Sequence, residues 1–543
     1  MSRRDEEYRK NQRRKKQTSG SHTSGKKKSS NVKGQAGHRN NATGRSQGKH
    51  RGRRPVRKNR ISRSIGLVLS IIQLLASIVF MVEMKILNML PMKYYLLLGA
   101  VLFLLFAIVL VTQYYSKKKG IAGKVISVIM TIVMIVGSYY CARTSSALDK
   151  VTGGDYKLDK VVVAVMADDK AEEIKDAKEY TFGVQYKMNG SQIEETMTAV
   201  NEELGTEVKT VEYDSLAEQA QALHDGKVDA IVYNEGYTGI LEEAFENYSQ
   251  NTKVIYSHSI KSKVENKSKD VEVDKCFSVY ISGIDVYGAI ETNSRSDVNI
   301  IAEVNPTTHQ ILLVTTPRDY YVEIPGISGG QKDKLTHAGI YGVDASMATL
   351  EQLYDTELDF YARVNFTSLI DIVDALGGVD VESEQAFTTS EDSGLVMNVV
   401  QGTNHFNGKQ ALAFSRERQN VDGGDNQRGK NQQAVITAMI KKMVSPAILT
   451  GANEIISSVS GNVDTNMSTD QIQDLIKTQL AEAPAWNIKS MAAEGTGDDQ
   501  MCYSYSGSTL YVMQPNQDSV NAIKTAIDDL EAGKALEGTV STQ

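Results

Sequence analysis

Cysteine, histidine and tryptophan are scarce in this sequence, and each scarcity excludes something. The 3 cysteines in 543 residues are too few for a disulfide framework. The 8 histidines are scattered, so the chain lacks the Cys/His clustering that zinc needs. His224 and His258 stand alone and read as structural or solvated side chains. A single tryptophan, Trp486, and 7% aromatic residues leave no evident platform for stacking sugars. The length itself exceeds one ordinary domain and suits about three units.

Charge divides the chain. The net charge of -6 conceals a basic leader: residues 1–60 hold about a third of the 60 Lys/Arg and almost no acids, whereas the chain beyond Arg143 is strongly acidic. The leader is rich in Ser, Gly, Asn and Gln and nearly free of large apolar side chains, so it cannot offset the entropy of ordering and reads as disordered. Nucleic acid is not the expected partner, because no aromatic residue beyond Tyr8 interleaves with the basic ones to stack on bases. A role in setting membrane topology, in touch with anionic headgroups, explains the leader better.

Three apolar runs follow, at about 65–84, 94–115 and 124–141. Each approaches the roughly 20 residues that a helix needs to cross hydrocarbon. Basic residues precede the first run, and Lys117, Lys118, Lys119 and Lys124 lie between the second and third; both clusters should face the cytoplasm. Three crossings from an inside N-terminus predict a multi-pass membrane protein with residues 144–543 outside the cell. A cleavable signal peptide does not fit a leader this long followed by several spans. Cys276 and Cys502 then face an oxidising compartment, where a bridge between them is an open possibility.

The outer part divides again. Residues 150–262 alternate strands (161–166, 207–213, 230–233) with helices (168–179, 191–204, 215–224), an accessory α/β domain whose order resembles a lobe of a periplasmic solute-binding protein. A polar, Lys/Ser-rich stretch at 257–274 reads as a linker. A second α/β unit, 272–543, has expected strands at 277–281, 298–304, 310–315, 360–364 and 508–513. Its expected helices are at 344–353, 366–375, 408–413, 432–443, 469–480 and 518–532. The fold class is therefore α/β, a mixed sheet flanked by helices on both faces, with a core at 277–445, a C-terminal extension at 446–543 and the smaller accessory domain in front.

Four polar clusters in the second unit belong together. Ser282-Gly-Ile-Asp285 ends a strand, Ser294-Arg-Ser-Asp297 opens one, and Thr316-Pro-Arg-Asp319 ends another. Strand ends of this kind form the usual ligand edge of an α/β sheet. The fourth is Phe414-Ser-Arg-Glu-Arg-Gln-Asn-Val-Asp-Gly-Gly-Asp-Asn-Gln-Arg-Gly-Lys-Asn-Gln-Gln433, in which Arg416, Arg418, Arg428 and Lys430 crowd together. Such cations repel one another unless an anion sits among them, and guanidinium groups pair best with phosphate oxygens. Two carboxylates without histidine, Asp285 and Asp297, suit Mg2+, which binds through one or two carboxylates plus substrate phosphates.

In this order the residues resemble the LytR-CpsA-Psr family of cell-wall glycopolymer transferases, over about residues 277–445. The likeness rests on Gly283-Ile-Asp285, Arg295-Ser-Asp297, the run from Thr316 to Pro325, Lys334-Leu-Thr-His-Ala338, Asp374-Ala-Leu-Gly-Gly-Val-Asp380 and the stretch from Gly402 to Gln433. It implies transfer of a glycopolymer from a polyprenyl-diphosphate carrier to a hydroxyl of peptidoglycan, forming a phosphodiester in cell-wall assembly. Asp285 and Asp297 would then hold Mg2+ against the diphosphate. Arg295, Arg318, Arg416, Arg418 and Arg428 would clamp its oxygens, with Lys334 and Gln432 as further contacts. Asp319 or Asp425 would orient an arginine or take the proton of the attacking hydroxyl. One departure is Asn431, where the family often has arginine; Lys430 beside it points ~100° away on a helix.

Such chemistry needs positioning and charge neutralisation more than covalent help, and the diphosphate linkage supplies the driving force without ATP. Apolar stripes at 345–353, 369–376 and 435–443 are candidates for the lipid groove. Two other readings share the same residues: hydrolysis of the lipid diphosphate, and a non-catalytic membrane-anchored wall sensor that only holds lipid carrier. For the accessory domain the sequence leaves open wall-polymer binding, placement of the site above the membrane, and self-association.

Overall fold

The computed structural model describes residues 56–115, 120–152, 156–263, 269–284, 290, 293–445, 463–482 and 484–536. Most of the basic leader, residues 1–55, lies outside the described residues.

Three helices, Val56–Leu87, Met92–Tyr115 and Ile121–Thr152, take up the apolar runs. Their segments long and apolar enough to cross a membrane are Ile61–Leu87, Met92–Tyr115 and Ile121–Leu148. The third is longer than its apolar run, continuing through the mostly polar residues from Arg143 to Thr152. Glycine lets these helices approach: a Cβ on Gly137 would meet the Phe80 ring at 2.7 Å. At one end, Leu87, Met89, Cys141 and Leu148 pack with Ile472 and Ile476 of helix Thr469–Glu482. Lys93 Nζ donates to the Ala481 carbonyl at 2.8 Å. The 88–93 loop and the end of the third helix thus share a side with the folded body.

The accessory module is one mixed sheet in the order β3-β2-β4-β1-β5, formed by β1 (Tyr156–Met166), β2 (Thr181–Val184), β3 (Lys209–Glu212), β4 (Ala230–Asn234) and β5 (Thr252–Lys263). Two expectations fail here. The helix expected at 168–179 is only a short turn, Ile174–Ala177. Asp169 accepts from the Ala171 N–H at 2.7 Å and from Tyr180 Oη at 2.6 Å, and Asp176 from the Glu172 and Glu173 N–H groups. Such local bonds compete with helix for the backbone. The linker expected from 257 begins as a strand instead, because β5 runs to Lys263 along β1 as the sheet edge. Edge strands tolerate charged side chains, and a bulge opposite Val163/Ala164 breaks the alternation that would have revealed it.

The second module has a six-stranded sheet, order β16-β11-β6-β7-β8-β17. Its early strands are β6 (Phe277–Ile284), β7 (Ser296–Asn305), β8 (Gln310–Thr315), the short pair β9 (Tyr321–Glu323) and β10 (Lys332–Lys334), and β11 (Phe360–Val364). Beyond these come β12 (Val379–Ser383), β13 (Phe387–Thr388), β14 (Asn398–Val399), β15 (Gly402–Phe406), β16 (Val463–Thr465) and β17 (Asn487–Ala492). A hairpin of β18 (Gly495–Cys502) and β19 (Tyr505–Pro515) follows. Both faces of the main sheet are buried. Ile301, Leu312 and Val314 pack with Leu350, Tyr354, Ile523 and Ile527, whereas Ile300, Ile311 and Leu313 pack with Ile436, Ile440 and Trp486. The stripe at 345–353, offered above as part of a lipid groove, belongs to the first of these layers and is core.

The modules share a core. Leu216, Leu223, Ile240 and Leu241 of the accessory module form one buried cluster with Ile340, Tyr505, Leu510 and Val512 of the second. Cys502 lies in that cluster, whereas Cys276 packs at the edge of the cluster around Tyr280 and hydrogen-bonds Glu303 at 3.2 Å. Both are free cysteines, so the bridge left open above is not formed.

Candidate active site

Strand direction gathers the predicted residues. β6 and β11 are parallel and β7 is antiparallel to both β6 and β8. The C-terminal ends of β6, β8 and β11 therefore meet the N-terminal end of β7 at one sheet edge. Asp297 is the second residue of β7, Arg318 and Asp319 follow β8, and Phe366 opens the helix after β11. Asp285 comes directly after β6 in the chain and lies outside the described residues.

Asp297 is half-buried between partners. Its Oδ2 accepts from Arg318 Nη1 at 3.0 Å and its Oδ1 from the Thr336 hydroxyl at 3.0 Å. Burial alone would raise this carboxyl, but Arg318, Arg295, Arg428 and the Thr336 bond outweigh it and hold it at about 2. Arg318 Nε lies 3.5 Å from Asp319 Oδ2, and Lys334 Nζ lies 3.3 Å from Asp319 Oδ1.

The Arg-Glu-Arg run divides between two environments. Arg416 closes helix Gly408–Arg416, its guanidinium 4.5 Å above the Phe366 ring, and both Arg416 and Arg418 line the cavity. Glu417 between them is fully buried, accepting the N–H groups of Ser390, Gln419 and Asn420. Its burial is outweighed by those bonds, which hold the carboxyl below its usual range. The sequence reading gave Glu417 no role, yet it shapes the loop that presents its two neighbours.

The Gly-Gly turn takes positive φ at Gly423 (94°) and Gly424 (52°). Helix Gly424–Met443 therefore starts two turns before the expected 432. The earlier start places Arg428 and Gln432 one turn apart on the cavity side, with Val435 and Ile436 one turn further. Asp425 is on this helix, and its side chain lies outside the described residues. Asn431 is buried away from the cavity, donating to the Phe414 carbonyl at 3.3 Å and accepting from Gln427 at 3.1 Å. Lys430 pairs with Glu384 at 3.1 Å.

These residues enclose a cavity of about 580 Å3. Arg295, Arg318, Lys334, Arg416, Arg418, Arg428, Gln432, Asp297 and Asp319 all line it. Apolar walls come from Ile281, Ile284, Val298, Val364, Phe366, Leu369, Leu412, Val435 and Ile436. Two of the three stripes offered as lipid groove, 369–376 and 435–443, thus reach the cavity. Glu243 of the accessory module also reaches in, 2.5 Å from Lys334 Nζ and 2.9 Å from Arg295 Nη1. Burial opposes its ionisation, but Lys334, His337 and Arg295 keep its carboxyl below the usual range. No local motif marks Glu243, because its role depends on how two modules pack.

Among the described residues no group of three or more His, Cys, Asp or Glu side chains could hold a metal by itself. Asp297 supplies hard oxygen in a site without sulfur or imidazole, the donor type that suits a Mg2+ completed by phosphate oxygens.

An edge that combines an arginine clamp with an apolar trough defines a site for an amphipathic phosphate. Residues 243–528 match the LytR_cpsA_psr family model, so the chain belongs to the LytR-CpsA-Psr family. The polyisoprenyl-teichoic acid–peptidoglycan teichoic acid transferase TagU of Bacillus anthracis is 35% identical over 241 residues, covering 41% of this chain and 77% of that protein. The protein of the same name in Oceanobacillus iheyensis is 34% identical, covering 43% and 70%. Among solved structures, Bacillus subtilis TagU is 28% identical and covers 49% of this chain and 100% of that one, with a TM-score of 0.37.

Proposed function

We propose that this protein is a membrane-anchored, outward-facing phosphotransferase. It moves a glycopolymer of the teichoic-acid class from a polyprenyl-diphosphate carrier to a hydroxyl of peptidoglycan. The observation that carries this reading is one cavity lined both by a set of arginines and by a set of apolar side chains, with Arg416 stacked on Phe366. An inorganic phosphate or a free nucleotide would not use the apolar set; a diphosphate with a lipid tail uses both. The names of the 34–35% identical relatives support the same substrate pair.

In this reading the acceptor hydroxyl oxygen attacks the sugar-side phosphorus as the bridging P–O bond breaks, and the bond's electrons leave with polyprenyl monophosphate. Arg416, Arg418 and Arg428 neutralise the equatorial oxygens and the developing negative charge. Asp319, held between Lys334 and Arg318, is one candidate to take the hydroxyl proton, and Asp425 is the other. Asp297, with Asp285, would hold Mg2+, which when bound adds positive charge against the diphosphate. The Phe366, Leu369 and Ile436 wall takes the first isoprene units and keeps water from the leaving group. The outward placement is supported by the contact of Lys93 and the helix ends with the folded body, since positive charge in the leader would hold the N-terminus inside.

The deciding experiment supplies the purified full chain with a lipid-diphosphate saccharide, Mg2+ and peptidoglycan. Wall-linked phosphodiester with released lipid monophosphate is the expected product. Lipid phosphate without wall product would make the protein a hydrolase, and neither product would sink both enzymatic readings.

A further inference from the structure

We propose that Glu243 is a positioning residue of the diphosphate clamp, so that the accessory module is a working part of the catalytic site. The inference rests on the diphosphate reading given above and deepens it.

The first observation is a row of alternating charges. Glu243 Oε1 accepts from Arg295 Nη1 at 2.9 Å and its Oε2 from Lys334 Nζ at 2.5 Å. Lys334 is next to Asp319 at 3.3 Å, Asp319 to Arg318 at 3.5 Å, and Arg318 to Asp297 at 3.0 Å. The row runs unbroken from the accessory module to the carboxylate at the mouth of β7. Lys334 is only 3% exposed, so its place is set by the two carboxylates that hold it. Without Glu243 it would lean wholly on Asp319, which also serves Arg318.

The second observation concerns the same helix, Thr238–Ala244, and is independent of charge. A Cβ on Gly239 would lie 2.4 Å from Arg295 Cζ, so the guanidinium packs directly against backbone that only glycine leaves open. Arg295 also donates to the Gly239 carbonyl at 3.4 Å. The third is rigidity: Ile240 and Leu241 are fully buried in the core that both modules share. The helix is therefore a fixed rail, with Gly239 and Glu243 one turn apart holding one arginine between them. Phosphoryl transfer depends on pre-set donors, and small displacements of such groups are costly in rate.

The competing role is a bystander anion that only offsets neighbouring cations. The two differ in sign. Removing a bystander negative charge strengthens anion binding, whereas removing a positioning group weakens it. The test uses the full chain in detergent with Glu243→Gln, Glu243→Asp and Gly239→Ala. It measures inorganic pyrophosphate affinity in magnesium buffer, turnover of the lipid-diphosphate saccharide, and the thermal midpoint. Glu243→Gln should cut turnover by about tenfold to a hundredfold and weaken pyrophosphate several-fold. Glu243→Asp, which keeps the charge but shortens the reach, should be intermediate. Gly239→Ala should reproduce the turnover loss at an unchanged midpoint, because it displaces only the flexible end of Arg295. Wild-type turnover in both Glu243→Gln and Gly239→Ala overturns the proposal, as does tighter pyrophosphate binding with unchanged turnover. Parallel collapse of midpoint, binding and turnover in both variants would make the contact merely structural. A wild-type chain that binds no pyrophosphate would overturn the diphosphate reading and this inference with it.

Discussion

Strand β7 carries two carboxyl groups that its surroundings push in opposite directions. Asp297 at one end is held ionised, whereas Glu303 near the other end is only 2% exposed and is raised from 4.5 to about 8. Burial is the main cause, Glu531 and Asp359 add repulsion, and the hydrogen bond from the Cys276 thiol opposes the rise. The folded protein therefore holds the Glu303 proton more tightly than the unfolded chain does. Its contribution to stability is complete below about pH 4.5 and is lost as pH rises through about 8. At ~1.4 kcal/mol per pH unit, the whole window is worth on the order of 4–5 kcal/mol. Glu303→Gln fixes the neutral state at every pH and leaves an oxygen to accept from Cys276. Near pH 5 the variant should match wild type. Near pH 9 it should melt higher, by roughly 10 °C at the usual few degrees per kcal/mol. Thermal unfolding of the full chain in detergent across this range checks the prediction. Melting curves that stay parallel from pH 5 to pH 9 would refute the assignment of Glu303 as a buried neutral acid.

Three other outcomes follow from the site. Arg416→Ala with Arg418→Ala should reduce turnover by at least ~10²–10³-fold with little change in thermal midpoint, and normal turnover would reduce the run to a surface ion network. Asp297→Asn removes one of the two carboxylates beside Arg318, so it should cost about 1–3 kcal/mol of stability and abolish magnesium-dependent turnover, read by calorimetry and a metal titration. Asn431→Arg should destabilise by about 1–3 kcal/mol through overpacking beneath Phe414, with no gain in turnover; a more active variant would show that this position faces the ligand.

Much of the catalytic module was legible because its signals are local. Alternation and apolar runs placed β8 and β11 residue for residue, since both are buried on two faces and bounded by polar turns. The cavity arginines Arg416, Arg418 and Arg428 could be singled out because unlike charges and a Gly-Gly turn crowd one short stretch. What failed depends on competition or on distance. The 168–179 helix lost to aspartates that bond nearby N–H groups, and β5 was hidden by a bulge and an edge that tolerates lysine. The burial of Asn431 follows from the register of a helix that starts at Gly424, two turns before its apolar stripe begins. Glu243 is the clearest case: nothing within Leu241-Glu-Glu-Ala244 distinguishes it from a solvated acid, and only the shared core brings it to Lys334.

Five of the six cations that line the cavity then fall into two kinds. Arg295, Arg318 and Lys334 are already tied to Glu243, Asp297 and Asp319, so their positions are set before any ligand arrives. Arg416 and Arg418 form no ion pair among the described residues; Arg416 rests on the Phe366 ring, and the loop carrying both is held by Glu417 beneath. The clamp thus has a braced side and an open side, and the open side adjoins Phe366, on whose ring Arg416 rests. In the proposed reading, an incoming diphosphate would gain most of its new charge pairing from the open pair, while the braced row would fix the angle at which it is presented. That division explains why the two sides should fail differently. Loss of Arg416 and Arg418 removes binding and neutralisation together without disturbing the fold. Disturbing the braced row, by contrast, should cost turnover more than it costs binding.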